Sequence, residues 1–180
     1  MFIIHDNFYN NPEGVRAWAL QQEFSVRGNF PGWRTPAYPE PYNTNVKEGI
    51  ERIINKKITF WPGGYNTAFQ YTTENCRTWV HYDPTDWAAV CYLTPDAPTN
   101  TGTGIFRHRE EGLYKHEEGQ TDYNAVQQTQ DDWELLDYCG NVFNRIVIYE
   151  GSFYHSSVIA GFGQDQHNGR LFQTFFFNAE

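Results

Sequence analysis

Three His-x-carboxylate pairs hold most of the chemistry legible in this chain: His81-Tyr82-Asp83, His108-Arg109-Glu110 and His116-Glu117-Glu118. In an extended segment, residues i and i+2 project to the same side, so each pair can present an imidazole and a carboxylate to one ion. Taken singly, such a pair is most often a solvated turn. Context separates the three. His81 follows the apolar run "TWV" and its pair precedes "WAAVCYL", which puts it at a strand end or turn with core on both sides. His116 lies in the charged stretch "LYKHEEGQTD", which reads as a solvated loop, and His108 sits between Arg107 and Arg109, whose charges compete with a cation. An iron site of the two-His, one-carboxylate type needs one more histidine from a distant strand and leaves positions open for substrate and oxygen. His155, just after "RIVIYEGSFY", is the candidate. Arg170 then opens the strongly apolar "RLFQTFFF"; a guanidinium entering such a strand calls for a carboxylate, which its planar fork binds through two hydrogen bonds. As isolated residues, His155 reads as a loop residue and Arg170 as a salt-bridged strand end. In this order they describe a site.

The elements that must position these residues are a helical front and a strand-rich body. Phe2 to Ile4 reads as a short strand. Asn11 caps a helix with Pro12 at its first position and Val15, Trp18 and Ala19 on one face, predicted to run to about Glu23. A second amphipathic helix starts near Asn45, with Val46, Ile50, Ile53 and Ile54 at helical spacing before Lys56-Lys57. The Pro-, Gly- and aromatic-rich "GNFPGWRTPAYPEPYN" between them reads as a loop. From residue 66 onward, β-branched and aromatic content predicts strands over Ala68–Tyr71, Arg77–Tyr82, Trp87–Leu93, Gly104–Arg107, Arg145–Tyr149 and Arg170–Phe177. One further helix is predicted over Asp131–Tyr138, with Gly140 just past its end. Strands after a helical front predict a mainly β barrel or sandwich with flanking helices.

The chain has 180 residues, 39% hydrophobic and 18% aromatic, which predicts a single domain over 1–180, divided into a front (1–65) and a barrel core (66–180). Its formal net charge of -9 repels phosphate backbones, so nucleic acid is not an expected partner. The start "MFIIHDNFYNNPEG" has neither a basic n-region nor an apolar h-region, and no run is long enough to span a bilayer. A cytoplasmic protein without a membrane partner is expected. Cys76, Cys91 and Cys139 show no C-x-x-C spacing, so neither a disulfide framework nor a zinc knuckle is indicated.

The segments "HYD" (81–83), "CYLTPDAPTNTGTGIF" (91–106), "NRIVIYEGSFYHSS" (144–157) and "NGRLFQTFFF" (168–177) resemble the Fe(II)- and 2-oxoglutarate-dependent dioxygenase superfamily, in its prolyl-hydroxylase-like branch. "FIIHDNFYNNPEGVRAWALQQEF" resembles the strand and helix that precede the barrel in those enzymes. The resemblance implies a double-stranded β-helix, a jelly-roll, cupin-like barrel. It implies iron held by His81, Asp83 and His155, with Arg170 receiving the distal carboxylate of 2-oxoglutarate beside Tyr92, and Tyr71 as a further cofactor-binding tyrosine. The cofactors implied are Fe(II), 2-oxoglutarate and O2, with ascorbate as an optional addition. The implied reaction hydroxylates a C–H bond of a peptidyl, amino-acid or small-molecule substrate as 2-oxoglutarate is decarboxylated to succinate. Asp83 favours hydroxylation over halogenation, because a small residue there would open a position for halide. Departures from the family pattern are the longer interval between His155 and Arg170, containing "AGFGQDQHNG", Phe172 where some relatives carry serine or threonine, and Gly102-Thr103-Gly104 at the family's Gly-Gly-Thr turn. The loop "FPGWRTPAY", Trp61, Trp87 and Arg107–Glu118 are expected to rim the barrel mouth. Two rival readings are a cupin-like protein using the same ligands for another metal, and a non-catalytic barrel that only binds. A zinc hydrolase ranks lower, since the chain has no HExxH.

Overall fold

A computed structural model describes residues 2–38 and 42–180. In the front, the side chain of Asn11 accepts a hydrogen bond from the Gly14 amide and Pro12 occupies the first turn of helix α1, Pro12–Ala19. The helix stops a turn short of Glu23. Gln21 and Gln22 donate their amides to the Trp18 and Ala19 carbonyls, i to i+3 bonds that close the last turn and send Phe24 against Tyr71. Helix α2 spans Tyr42–Ile54 and buries Val46 and Ile50.

Ten strands follow in chain order: β1 (Ile3–His5), β2 (Trp33–Arg34), β3 (Ile58–Phe60), β4 (Phe69–Thr72), β5 (Trp87–Tyr92), β6 (Thr103–His108), β7 (Trp133–Cys139), β8 (Ile146–Glu150), β9 (His155–Ser157) and β10 (Arg170–Ala179). The larger sheet runs β1-β8-β5-β10-β4-β2, with β3 also on β10; the smaller runs β7-β6-β9, and every pairing is antiparallel. The central strands are apolar on both faces because both faces are covered. On one side Ala89, Cys91, Ile146, Ile148, Leu171 and Phe175 pack against α1 and α2. On the other, Ala88, Val90, Tyr92, Val147, Tyr149 and Phe172 meet Ile105 and Cys139 of the smaller sheet.

Several elements differ from expectation. The helix predicted over 131–138 is strand β7, where pairing with β6 overrides the local helix preference of Glu134, Leu135 and Leu136. Trp133 and Cys139 are buried at its ends while Leu135, Leu136 and Tyr138 face outward on an edge strand. Residues 77–82 do not form a strand. Only His81 pairs, exchanging both backbone hydrogen bonds with His155; the described residues before it form no backbone ladder, and Thr78 meets β9 only through its hydroxyl, on Ser156. The front is not wholly helical, since β1, β2 and β3 extend the larger sheet, β2 from within the predicted loop.

Candidate metal centre

His81, Asp83 and His155 offer ligand atoms that all lie within 4.8 Å of one another. The backbone sets this arrangement: the His81 amide donates to the His155 carbonyl at 3.0 Å and the His155 amide to the His81 carbonyl at 2.8 Å. Two residues on, the Asp83 amide donates to the Gly151 carbonyl at 2.8 Å, which ties the His-x-Asp turn to the β8–β9 turn. Gly151 is required there, because a Cβ would meet the Thr85 carbonyl oxygen at 2.1 Å.

Each histidine is oriented by its own chain. The Nδ1 atom of His81 lies 3.1 Å from the Trp79 carbonyl and that of His155 lies 2.7 Å from the Phe153 carbonyl. A carbonyl only accepts, so both Nδ1 atoms carry the proton and both Nε2 atoms keep a lone pair, as a metal ligand needs. Burial, then the neighbouring His155 ring, push the His81 imidazole down to about 4, so it is neutral at physiological pH. Burial opposes ionisation of Asp83, but the positive charge that His155 and His81 take up as pH falls, with that of Arg34, outweighs it and holds the carboxyl below its ordinary range. Oδ2 of Asp83 approaches His155 Nε2 at 3.2 Å without hydrogen-bond geometry and stays a buried oxygen with no hydrogen-bond partner. A buried, ionised, unsatisfied oxygen between two lone-pair nitrogens fits a divalent cation. Among the described residues no other His, Cys, Asp or Glu cluster gathers in this way.

The other pairs have structural employment. His108 stacks on Tyr123 with ring centroids 4.4 Å apart and meets its hydroxyl at 3.2 Å. His116 stacks on Tyr82 at 4.0 Å.

Beside the triad, in a cavity of about 660 Å³, lies Arg170. It is 2% exposed, donates from Nε to the Thr101 carbonyl at 2.7 Å, and forms no ion pair with any described carboxylate. The antiparallel register of β10 with β5 brings it near Tyr92, whose ring centre is 5.6 Å from its guanidinium carbon. Tyr92 is fully buried, its hydroxyl lies 2.8 Å from the Thr103 hydroxyl, and burial pushes its phenol up to about 12. Thr103 itself lines the cavity.

Tyr71 is not brought to this place. Strand alternation turns it to the opposite face, where it stacks on Trp33 with centroids 4.8 Å apart and joins the core beneath the helices. Its neighbour Gln70 faces the cavity instead. Tyr149, inside the apolar run "RIVIY", went unnoticed in sequence; it is 3% exposed, lines the cavity and lies with its ring 4.6 Å from that of His155. Arg34 and Phe30, from the predicted loop, also line it. Of the other expected rim residues, Trp61 packs on Phe175 and Phe177, Trp87 joins the core beneath the helices, and Arg107–Glu118 lies outside the lining. Aromatic content alone does not distinguish rim from core.

Solved structures resemble this chain over nearly its whole length at low identity. A prolyl hydroxylase from Trichoplax adhaerens, in complex with a hypoxia inducible factor oxygen degradation domain peptide fragment, matches with a TM-score of 0.55 and 11% identity over 98% of this chain and 82% of its own. HygX from Streptomyces hygroscopicus, solved with nickel and 2-oxoglutarate bound, matches with a TM-score of 0.58 and 9% identity, again over 98% of this chain and 82% of its own. A prolyl-4-hydroxylase of Pseudomonas putida gives 0.50 and 14%, over 98% of this chain and 91% of its own. The architecture is thus a double-stranded β-helix, shared with these solved structures. The chain belongs to the family described as a family of unknown function, DUF6445, whose model matches residues 1–177. Among curated proteins nothing matches. No helix among the described residues is long and apolar enough to cross a membrane.

Proposed function

We propose that the protein is a non-heme Fe(II)- and 2-oxoglutarate-dependent oxygenase of the prolyl-hydroxylase-like branch, hydroxylating a C–H bond of a small-molecule or peptide substrate. The observation that carries this reading is the pairing, in one cavity, of the orphaned Asp83 oxygen between two histidines with the fully buried, carboxylate-free Arg170. The first calls for a cation and the second for an anion. A 2-oxo diacid would satisfy both, its oxo-acid end suiting the ion and its far carboxylate suiting the guanidinium. When bound, the iron supplies the oxygen-activating chemistry that no side chain has.

The protein's own residues do the rest. His81, Asp83 and His155 would hold the ion through two imidazole nitrogens and a carboxylate oxygen. Tyr92 lies beside Arg170 outside the cavity lining, and its hydroxyl meets that of Thr103, a residue that does line the cavity. Tyr149 lines the cavity with its ring against that of His155, an apolar wall beside the candidate ligand. O2 is the oxidant of this reading and ascorbate an optional reductant.

Anaerobic visible absorption tests it. Fe(II) followed by 2-oxoglutarate should produce a charge-transfer band that needs both additions and is absent from His155→Ala. Iron binding without the band would favour the cupin-like reading. A protein that binds no iron would leave the fold as a binding module.

A further inference from the structure

Among the described residues, three charged side chains line the cavity: Asp83, Arg170 and Arg34. The oxygenase reading uses the first two. Arg34, on β2, is clamped in place. Its Nε and Nη2 donate to the Gln70 side-chain oxygen at 2.9 and 2.5 Å, and its guanidinium carbon lies 3.9 Å from the centre of the Phe30 ring. Gln70 is in turn anchored on the Pro31 carbonyl at 2.6 Å. This clamp uses one edge of the guanidinium and one of its faces. Among the described residues Nη1 has no acceptor, and no carboxylate comes within ion-pair distance of the group. Asp83 acts on Arg34 only through space, and burial pushes the guanidinium down to about 10. A cation held this rigidly in a partly desolvated cavity, with a free donor edge, is arranged for an incoming anion.

Charge bookkeeping says which anion, and this step rests on the oxygenase reading. A divalent ion and the two guanidiniums, set against Asp83 and a dianionic 2-oxoglutarate, leave the cavity with one positive charge uncompensated. The net charge of -9 on the whole chain makes that local excess the more distinct. We propose that Arg34 binds a carboxylate of the substrate, so that the molecule hydroxylated is a small monocarboxylic acid rather than an internal stretch of polypeptide. Phe30, Val126 and Phe176, which line the same cavity, give that acid an apolar body to rest on.

The test uses full-length protein loaded anaerobically with Fe(II) and saturating 2-oxoglutarate, titrated in a calorimeter with benzoate or with its neutral isostere benzamide. The visible band reports throughout that 2-oxoglutarate stays bound. The expected result is that benzoate binds at least about tenfold more tightly than benzamide, the scale of one charge-assisted hydrogen-bonded contact. Arg34→Gln should keep the band and lose the preference. Equal affinity for the two probes, no binding of benzoate, or a preference that survives in Arg34→Gln would overturn the proposal while the band leaves the oxygenase reading standing. The wild-type comparison decides the matter even if the variant does not fold. Absence of the band from wild-type protein removes the oxygenase reading and this proposal with it. Loss of the band in Arg34→Gln alone would move Arg34 to the 2-oxoglutarate site and also overturn it.

Discussion

Arg170 is an ionised group 2% exposed with one backbone acceptor and no ion pair among the described residues. Such a charge costs the ligand-free fold stability that only a bound anion returns. Arg170→Met should therefore have opposed effects. It should weaken 2-oxoglutarate binding by about 3 kcal/mol, roughly 100-fold, in an anaerobic titration of the iron-loaded protein. It should also raise the melting temperature of the metal-free protein by about 2–4 °C. A variant that lost both would mean that Arg170 is a structural cation. His81 makes a second prediction. Its pKa falls from an ordinary 6.5 to about 4, so between those values the unfolded chain binds more protons than the folded one. The stability of the metal-free protein should fall as pH drops from about 6.5 toward 4, and His81→Asn should flatten that slope in denaturant titrations. Asp83 acts in the same direction at lower pH, since its depressed carboxyl stabilises the fold above 3.8 and loses that contribution only below.

At the scale of elements, one turn and one short strand decide the candidate site. The β8–β9 turn holds Asp83 through the Gly151 carbonyl while its glycine clears Thr85 by having no side chain. Gly151→Ala should destabilise the protein by about 2–3 kcal/mol, as a clash against backbone does. Because the strain falls on the segment that carries Asp83, cobalt or iron affinity should drop at least about tenfold in the fraction that folds. A metal titration beside a thermal melt separates the two effects, and normal affinity in a destabilised variant would show that the turn only supports the fold. The short strand β2 is the other element. Its pairing with β4 sets Arg34 opposite Gln70, so a residue from the front of the chain reaches the barrel cavity.

For the molecule as a whole, the candidate cation site joins the two sheets. His81 and His155 share one backbone bridge, and β9 continues into the smaller sheet on β6, while Asp83 leads into β5 of the larger one. Metal bound to all three should stabilise the whole fold. At a free concentration a hundredfold above the dissociation constant the gain is about 2.7 kcal/mol, roughly 5–10 °C for a chain of this size. Iron or cobalt should produce that shift in a thermal melt and a chelator should reverse it. The same addition to His155→Ala should leave the melt nearly unmoved.

How much of this was legible in the sequence depended on whether the signal was local. The cap at Asn11, the apolar core strands and the setting of His81-Tyr82-Asp83 between apolar runs could be read from neighbours in the chain, because capping, strand periodicity and apolar flanks act over a few residues. His155 and Arg170 stood out as polar residues against strongly apolar strands. Tertiary structure alone decided the rest. Tyr71 and Gln70 are adjacent and both strand-compatible, and only the pairing of β4 with β2 and β10 settles which of them faces the cavity. Leu135 and Leu136 suit a helix until β6 offers its edge. Tyr149 sits in an apolar run and Arg34 in a proline-rich loop, so neither carries a local sign of function. Their place comes from which strands become neighbours, and that choice is made by long-range burial and hydrogen bonding rather than by any residue's own preference.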